Sequence, residues 1–266
     1  MMKRVRWVAL ATAVVLVLGV VAVDAAADLT LTILFDNTVY DERLEADWGF
    51  AALVEYGEHT ILFDTGNSGS ILLANMGTLG VDPETIEIIV LSHIHGDHVN
   101  GLFALLDAGI SPTVYVPDRF PQWFVERVGK RCEVVEVSDS VEIVPGVHST
   151  GELVASPVEQ GLVIETVCGI VVVTGCAHPG IVRIVERAKG VVDDEIKLVV
   201  GGFHLLQHGK THVLRVIDDL RALGVRGACP THCTGDDAIA LFAEEFGDDY
   251  VRGGVGRIIH ILGSLE

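Results

Sequence analysis

The sequence predicts an α+β protein in which two sheets pack on each other under a cover of helices. Three observations lead there. Short apolar, β-branched runs recur along the whole chain, several early runs follow one another with only a turn between them, and helix-period segments separate the others. Runs joined by a turn alone pair as antiparallel hairpins, whereas parallel neighbours need a longer crossover. The mixture argues against a purely doubly wound sheet.

Taken in order, "LTLTILFDN" (29–37), "FAALVEYG" (50–57) and "TILFDTG" (60–66) read as strands bounded by Gly or Asp. "SILLANMGTLG" (70–80) carries helix spacing, "IEIIVLSH" (86–93) is a buried strand, and "NGLFALLDAG" (100–109) is again helical. "TVYVP" (113–117), a helix in "RFPQWFVERVG" (119–129) and "EVVEV" (133–137) complete the first half. The second half predicts strands at 161–167 and 169–174, a helix near 180–189, a strand at 196–201 and a helix at 211–223. A short strand at 225–229, a helix at 235–246 and closing strands to about 262 follow.

Of the 266 residues, 50% are hydrophobic and 21% charged, which excludes a disordered chain and supports a substantial core. Lys3, Arg4 and Arg6 precede an uncharged apolar run from Trp7 to Val23, with small residues at Ala25 to Ala27. That is the order of a secretory signal peptide. Its 17 apolar residues sit at the lower edge for spanning a bilayer, so residues 1–27 read as a signal peptide or an N-terminal membrane anchor held through 7–23. Either reading puts the body, residues 28–266, outside the cytoplasm. The net charge of −19 argues against a nucleic-acid partner, since a phosphate backbone needs a basic surface. Cys132, Cys168, Cys176, Cys229 and Cys233 are an odd set without the density of a disulfide scaffold.

"LSHIHGDHVNG" (91–101) places three histidines and an aspartate in six consecutive positions at a strand end. Alternate residues of an extended segment share a face, so His93 and His95 point one way, while Asp97 and His98 turn into a helix beginning near Val99. Two donors on each side suit a pair of adjacent divalent ions, and imidazole with carboxylate is the mixture expected for zinc or non-haem iron.

"SHIHGDHVNGL" together with "ILFDTGNSG" resembles the metallo-β-lactamase superfamily, over essentially all of 29–266. The resemblance implies a four-layer αββα metallo-β-lactamase-like sandwich with a metal site at one end of its sheets. It implies that His93 and His95 bind one metal and Asp97 and His98 the other, and that Asp64, in "FDTG", supports the site from behind. Where relatives carry a bridging aspartate after a "TGD" strand, this chain reads "IVVVTGCAHPGI", which puts Cys176 in that place. His178, two residues on, is preferred over His148 in "PGVHSTGEL" as the next ligand, because it follows a strand end. His232 in "PTHCTG" matches the final histidine, and His204 in "GGFHLL" is assigned to substrate or proton transfer. Cys229 and Cys233, four apart, are assigned to packing. His59, His208, His212 and His260 carry no motif.

"DWGFAALVE", "TGCAHPGI", "GGFHL" and "PTHCTG" resemble a branch named for 7,8-dihydropterin-6-methyl-4-(β-D-ribofuranosyl)aminobenzene 5′-phosphate synthase. The implied cofactor is Zn2+, with two ions expected and iron or manganese as alternatives. Such ions lower the pKa of a bound water and polarise a carbonyl or phosphoryl oxygen. The expected activity is therefore a metal-dependent hydrolase using a metal-bound hydroxide on an ester, lactone, amide or phosphoester of a small-molecule substrate, with Asp97 and His204 as catalytic residues. The alternatives are a transferase like the branch's namesake, or an iron-dependent oxidoreductase or non-catalytic metal-binding domain. Substrate and oligomeric state stay open at this level.

Overall fold

A computed structural model describes residues 27–263. The signal peptide or anchor reading covers residues 1–27, and all but the last of these lie outside the described residues. Among the described residues no helix is long and apolar enough to cross a membrane.

The first half opens with an antiparallel meander of β1 (Leu29–Phe35), β2 (Ala51–Tyr56) and β3 (His59–Phe63). It then changes style. Helix α1 (Gly69–Leu79) crosses to β4 (Ile88–Val90), α2 (Gly96–Val99) and α3 (Leu102–Asp107) cross to β5 (Thr113–Pro117), and α4 (Gln122–Val128) crosses to β6 (Val134–Val137), with β3 to β6 mutually parallel. The second half repeats the plan. β7 (Val141–Val144), β8 (Val147–Ser149), β9 (Leu162–Ile164) and β10 (Ile170–Thr174) are antiparallel neighbours. Helix α5 (Ile181–Val191) then leads to β11 (Ile196–Gly202), and α6 (Lys210–Ala222) to β12 (Val225–Thr231), both parallel to β10. After α7 (Asp236–Phe246) the chain returns as β13 (Ile258–Ile261), antiparallel to β1. The sheets run β13-β1-β2-β3-β4-β5-β6 and β12-β11-β10-β9-β8-β7.

Period-two alternation explains the layering. Leu29, Leu31 and Ile33 of β1, Ile88 and Val90 of β4, Val171 and Val173 of β10, and Leu198 and Val200 of β11 meet in one core between the sheets. The residues between them face outward: Leu34 and Ile89 pack under α1 and α3, and Val172 and Val199 under α5 and α6. The result is the αββα sandwich expected from the sequence.

Two local readings change. The β7/β8 hairpin, turning at Pro145-Gly146, is absent from the sequence expectation because its strands are too short to show a period. The helix after the histidine cluster begins at Gly96 rather than near Val99, so Asp97 and His98 lie on its first turn.

The parallel strands in each half place their carboxyl ends at one rim. In open α/β arrangements that rim is where ligands bind, because the loops leaving it converge. The chain continues from β3 to Asp64, from β4 to the histidine cluster, from β10 to Cys176 and His178, from β11 to His204, and from β12 to His232.

Candidate metal centre

Asp64 ties the first half of the site together. Its buried carboxylate accepts the Ser92 amide at Oδ1 and the Ser92 hydroxyl at Oδ2, both at 2.7 Å, and His98 Nδ1 at 2.6 Å. With its hydroxyl proton given to Asp64, Ser92 Oγ accepts from His93 Nδ1 at 2.8 Å. Gly175, at the end of β10, comes so close that a Cβ there would collide with Ser92 and Asp64.

Glu159 does the same for the second half. Its fully buried carboxylate accepts the amides of Cys176 and Ala177 at Oε1, 2.9 and 2.8 Å, and the amide and Nδ1 of His178 at Oε2, 2.8 and 2.9 Å. Burial opposes its ionisation, but the hydrogen bonds from the His178 ring and amide outweigh it and hold the carboxyl below the usual range. Asn37 holds the last histidine: its Oδ1 accepts His232 Nδ1 at 2.9 Å while its Nδ2 donates to the His232 carbonyl at 3.0 Å. Glu159 and Asn37 were missed in the sequence, where "SPVEQG" and "FDN" carry no motif; an acid three residues ahead of an apolar strand was the one signal for Glu159.

Four histidines, His93, His98, His178 and His232, thus have Nδ1 engaged by Ser92, Asp64, Glu159 and Asn37. Fixing one ring nitrogen as donor leaves Nε2 with its lone pair for a cation. His98 Nε2 lies 3.3 Å from His232 Nε2, 3.2 Å from Cys176 Sγ and 3.7 Å from Asp97 Oδ2, and Asp97 Oδ2 lies 3.3 Å from His232 Nε2. Donor atoms of His93, Cys176 and His178 form a second group, all within 4.8 Å of one another. His95, exposed at the mouth, has its ring 4.8 Å from those of both His93 and His178.

His93 Nε2 is buried without a hydrogen-bond partner, a costly state for a polar atom. Burial, followed by the neighbouring His98 charge, pushes the His93 pKa well below the ordinary histidine value, so the ring stays neutral. A buried neutral imidazole with an unsatisfied nitrogen is what a metal ligand looks like without its metal, and the donor set fits a divalent cation. Burial also disfavours a charged His98, but Asp64 and then Asp97 outweigh it and raise its pKa; the same carboxylates favour a cation at Nε2. For Asp97 burial is again the largest influence and opposes charge, yet the His232 hydrogen bond and the charges of His98 and His232 keep it ionised.

Backbone strain collects at this rim. Asp64 (φ 57), Ala177 (φ 61), His204 (φ 54) and His232 (φ 47) are the non-glycine residues with left-handed φ among the described residues. Such conformations persist where surrounding contacts over-determine them, typically at functional sites.

His204 is exposed, with its ring 4.6 Å from that of His178. His148 stands apart on β8, where Nε2 pairs with Glu165 at 2.7 Å, and it joins none of the donor groups among the described residues. Cys229 packs in the core between the sheets, and Cys233, also buried, stands beside Cys176 and His204. Sequence spacing could not show this, because those neighbours come from other strands.

The sandwich and its rim of histidine, aspartate and cysteine donors define a metal-dependent enzyme fold, and the chain belongs to the metallo-β-lactamase superfamily, whose sequence profile matches residues 49–232. Among particular relatives, it is 30% identical to 7,8-dihydropterin-6-methyl-4-(β-D-ribofuranosyl)-aminobenzene-5′-phosphate synthase of Methanocaldococcus jannaschii, over 86% of this chain and 95% of that protein. It is 28% identical to an uncharacterized protein of the same organism, over 87% and 100% of the two chains. A solved structure, Tm1679, a metal-dependent hydrolase of the β-lactamase superfamily, superposes with a TM-score of 0.74 at 26% identity, covering 88% of this chain and 99% of that one.

Proposed function

We propose that the chain is a metal-dependent hydrolase acting on an ester, lactone, amide or phosphoester bond of a small-molecule substrate. The observation that carries this reading is the set of four histidines whose Nδ1 atoms are tied back, leaving Nε2 for cations at the rim. Two divalent ions, zinc expected, would be held by His93, His95 and His178 on one side and Asp97, His98 and His232 on the other with Cys176 between, and would supply an activated water and a Lewis acid.

The chain's own residues do the rest. Asp64, Glu159 and Asn37 keep the imidazoles in one tautomer and one orientation. Asp97 Oδ2, ionised and within reach of both His98 and His232, accepts a hydrogen bond from the attacking water and aims it. His204, exposed beside His178, carries a proton at the mouth where a leaving group departs. The likeness to a solved metal-dependent hydrolase over nearly its whole length supports the same reading.

A second reading, a transferase, is favoured by the 30% identity to the M. jannaschii synthase across 95% of that protein. One experiment separates them. Zinc-loaded protein is assayed on a panel of esters, lactones, β-lactams and phosphodiesters, and in parallel with a dihydropterin diphosphate plus a ribosylated aminobenzene phosphate, with products read by mass spectrometry. Turnover in the panel supports hydrolysis; a carbon–carbon coupled product without panel turnover overturns it in favour of the transferase. The extracytoplasmic placement rests on the residue order of 1–27 and predicts recovery outside the cytoplasm on cell fractionation.

A further inference from the structure

Cys233 and His204 meet Cys176 in a third donor group, of which the two cation positions above use Cys176 alone. Cys176 Sγ, Cys233 Sγ and a ring nitrogen of His204 lie within 4.8 Å of one another, on the ends of the adjacent strands β10, β12 and β11. Both thiols are buried while the imidazole is exposed, so the group is accessible from one side only.

The loops that carry it are bound to one another. The Gly202 amide donates to the Gly175 carbonyl at 3.0 Å, Phe203 to Thr234 Oγ1 at 3.0 Å, and Leu206 to the Cys233 carbonyl at 3.2 Å. Gly202 is required by space: a Cβ there would stand 2.7 Å from Cys233 Sγ and 3.3 Å from Cys176 Cα. The left-handed turn at His204, φ 54, changes the chain direction just after β11, where the ring joins the thiols. A cavity of about 210 Å³, lined by Trp48, His204, Leu206, Gln207, His208 and Cys233, opens onto the group from solvent.

We propose that Cys176, Cys233 and His204 form a separate binding position for a thiophilic divalent cation such as zinc, beside the histidine–carboxylate centre and sharing Cys176 with it. Two sulfurs and one imidazole make a three-ligand set, and the cavity leaves the fourth tetrahedral position open. Binding releases the Cys233 proton to solvent, and the Cys176 proton as well when the neighbouring centre is empty, and the thiolates balance the charge of the ion. Soft donors of this kind select zinc, cobalt or cadmium over magnesium and manganese. The inference rests on the metal-enzyme reading through Cys176, and it replaces the proton-carrying role of His204 whenever that ring holds the cation.

The test titrates the full-length protein, stripped by chelator and kept reduced, with Co2+ alone. Bound equivalents and the thiolate-to-cobalt charge-transfer absorption are recorded, with circular dichroism reporting the fold. The unaltered chain shows charge transfer from two thiolates; Cys233→Ser binds one equivalent fewer and loses about half of that absorption. His204→Ala, at an exposed position that carries little folding risk, weakens that equivalent tenfold or more. A Cys233→Ser protein with unchanged stoichiometry and absorption overturns this inference and leaves the proposed function standing. Absence of cobalt binding by the unaltered chain overturns both.

Discussion

The two halves of the sandwich are built on one plan, antiparallel strands followed by parallel crossovers, yet they deliver their donors differently. The first half concentrates His93, His95, Asp97 and His98 in one loop after β4, braced by Asp64 from the neighbouring strand. The second half offers single residues from three strand ends, Cys176 with His178, His204, and His232, braced by Glu159 and Asn37 from elsewhere. A donor cluster on one loop is positioned by local geometry and one brace. Donors on separate strands depend on sheet register, so the second half is the more exposed to changes in packing.

The largest expected effect comes from removing a donor of the compact half. His93→Ala should lower kcat/KM on any accepted substrate by about 10³-fold or more, roughly 4 kcal/mol of transition-state stabilisation, with loss of bound metal measured in parallel. His178→Ala tests whether the dispersed half carries equal weight, and full metal content in that variant would leave the compact loop as the half that holds the metal.

Next in size is Glu159→Gln. The amide retains one acceptor oxygen and turns its NH2 group toward backbone donors that now go unpaired. Chemical denaturation should show about 2–4 kcal/mol of lost stability. Metal affinity should fall about 10–100-fold, as for other residues that hold a ligand from behind. A near-neutral result would mean that sheet register alone positions Cys176 and His178.

The motif-bearing half was legible in the sequence because its information is local. "HIHGDH" after an apolar run shows donor type, number and spacing within six residues, and the family resemblance implies the brace in "FDTG". The dispersed half was legible only residue by residue. His178 is legible because it follows a strand end and His232 because it matches the family's final histidine, whereas Glu159, Asn37 and the neighbourhood of Cys233 depend on which strands lie side by side. The strands with alternating apolar faces were read closely, and the short β7/β8 hairpin was not.

A smaller effect concerns pH. Asp36, buried beside the site with Oδ2 unpartnered, has its pKa raised to about 6 by burial, against the opposing hydrogen bond from the Thr38 amide. The unfolded carboxyl ionises near 4, so between about pH 4 and 6 the unfolded state loses its proton first. Stability therefore falls as pH rises through that window, by up to about 3 kcal/mol from this group. Asp36→Asn should flatten this part of the stability profile followed by thermal melts; an unchanged slope would show that the carboxyl is not the source.

The smallest effect is assigned to His148→Ala. Its half-exposed pair with Glu165 predicts a change within about 0.5 kcal/mol, and metal content should stay at that of the unaltered chain. Loss of metal here would sink the assignment of His178 to the site.

By itself the sequence determined the class of fold, the order of its elements, the family and the compact donor loop, because period, turn chemistry and contiguous motifs are properties of neighbouring residues. Only the tertiary structure decided which strand ends share a rim, that Glu159 and Asn37 hold His178 and His232, and that Cys233 faces Cys176 and His204. Those relations join residues tens to nearly two hundred positions apart, and they exist only once parallel pairing of β10, β11 and β12 sets the strand ends side by side.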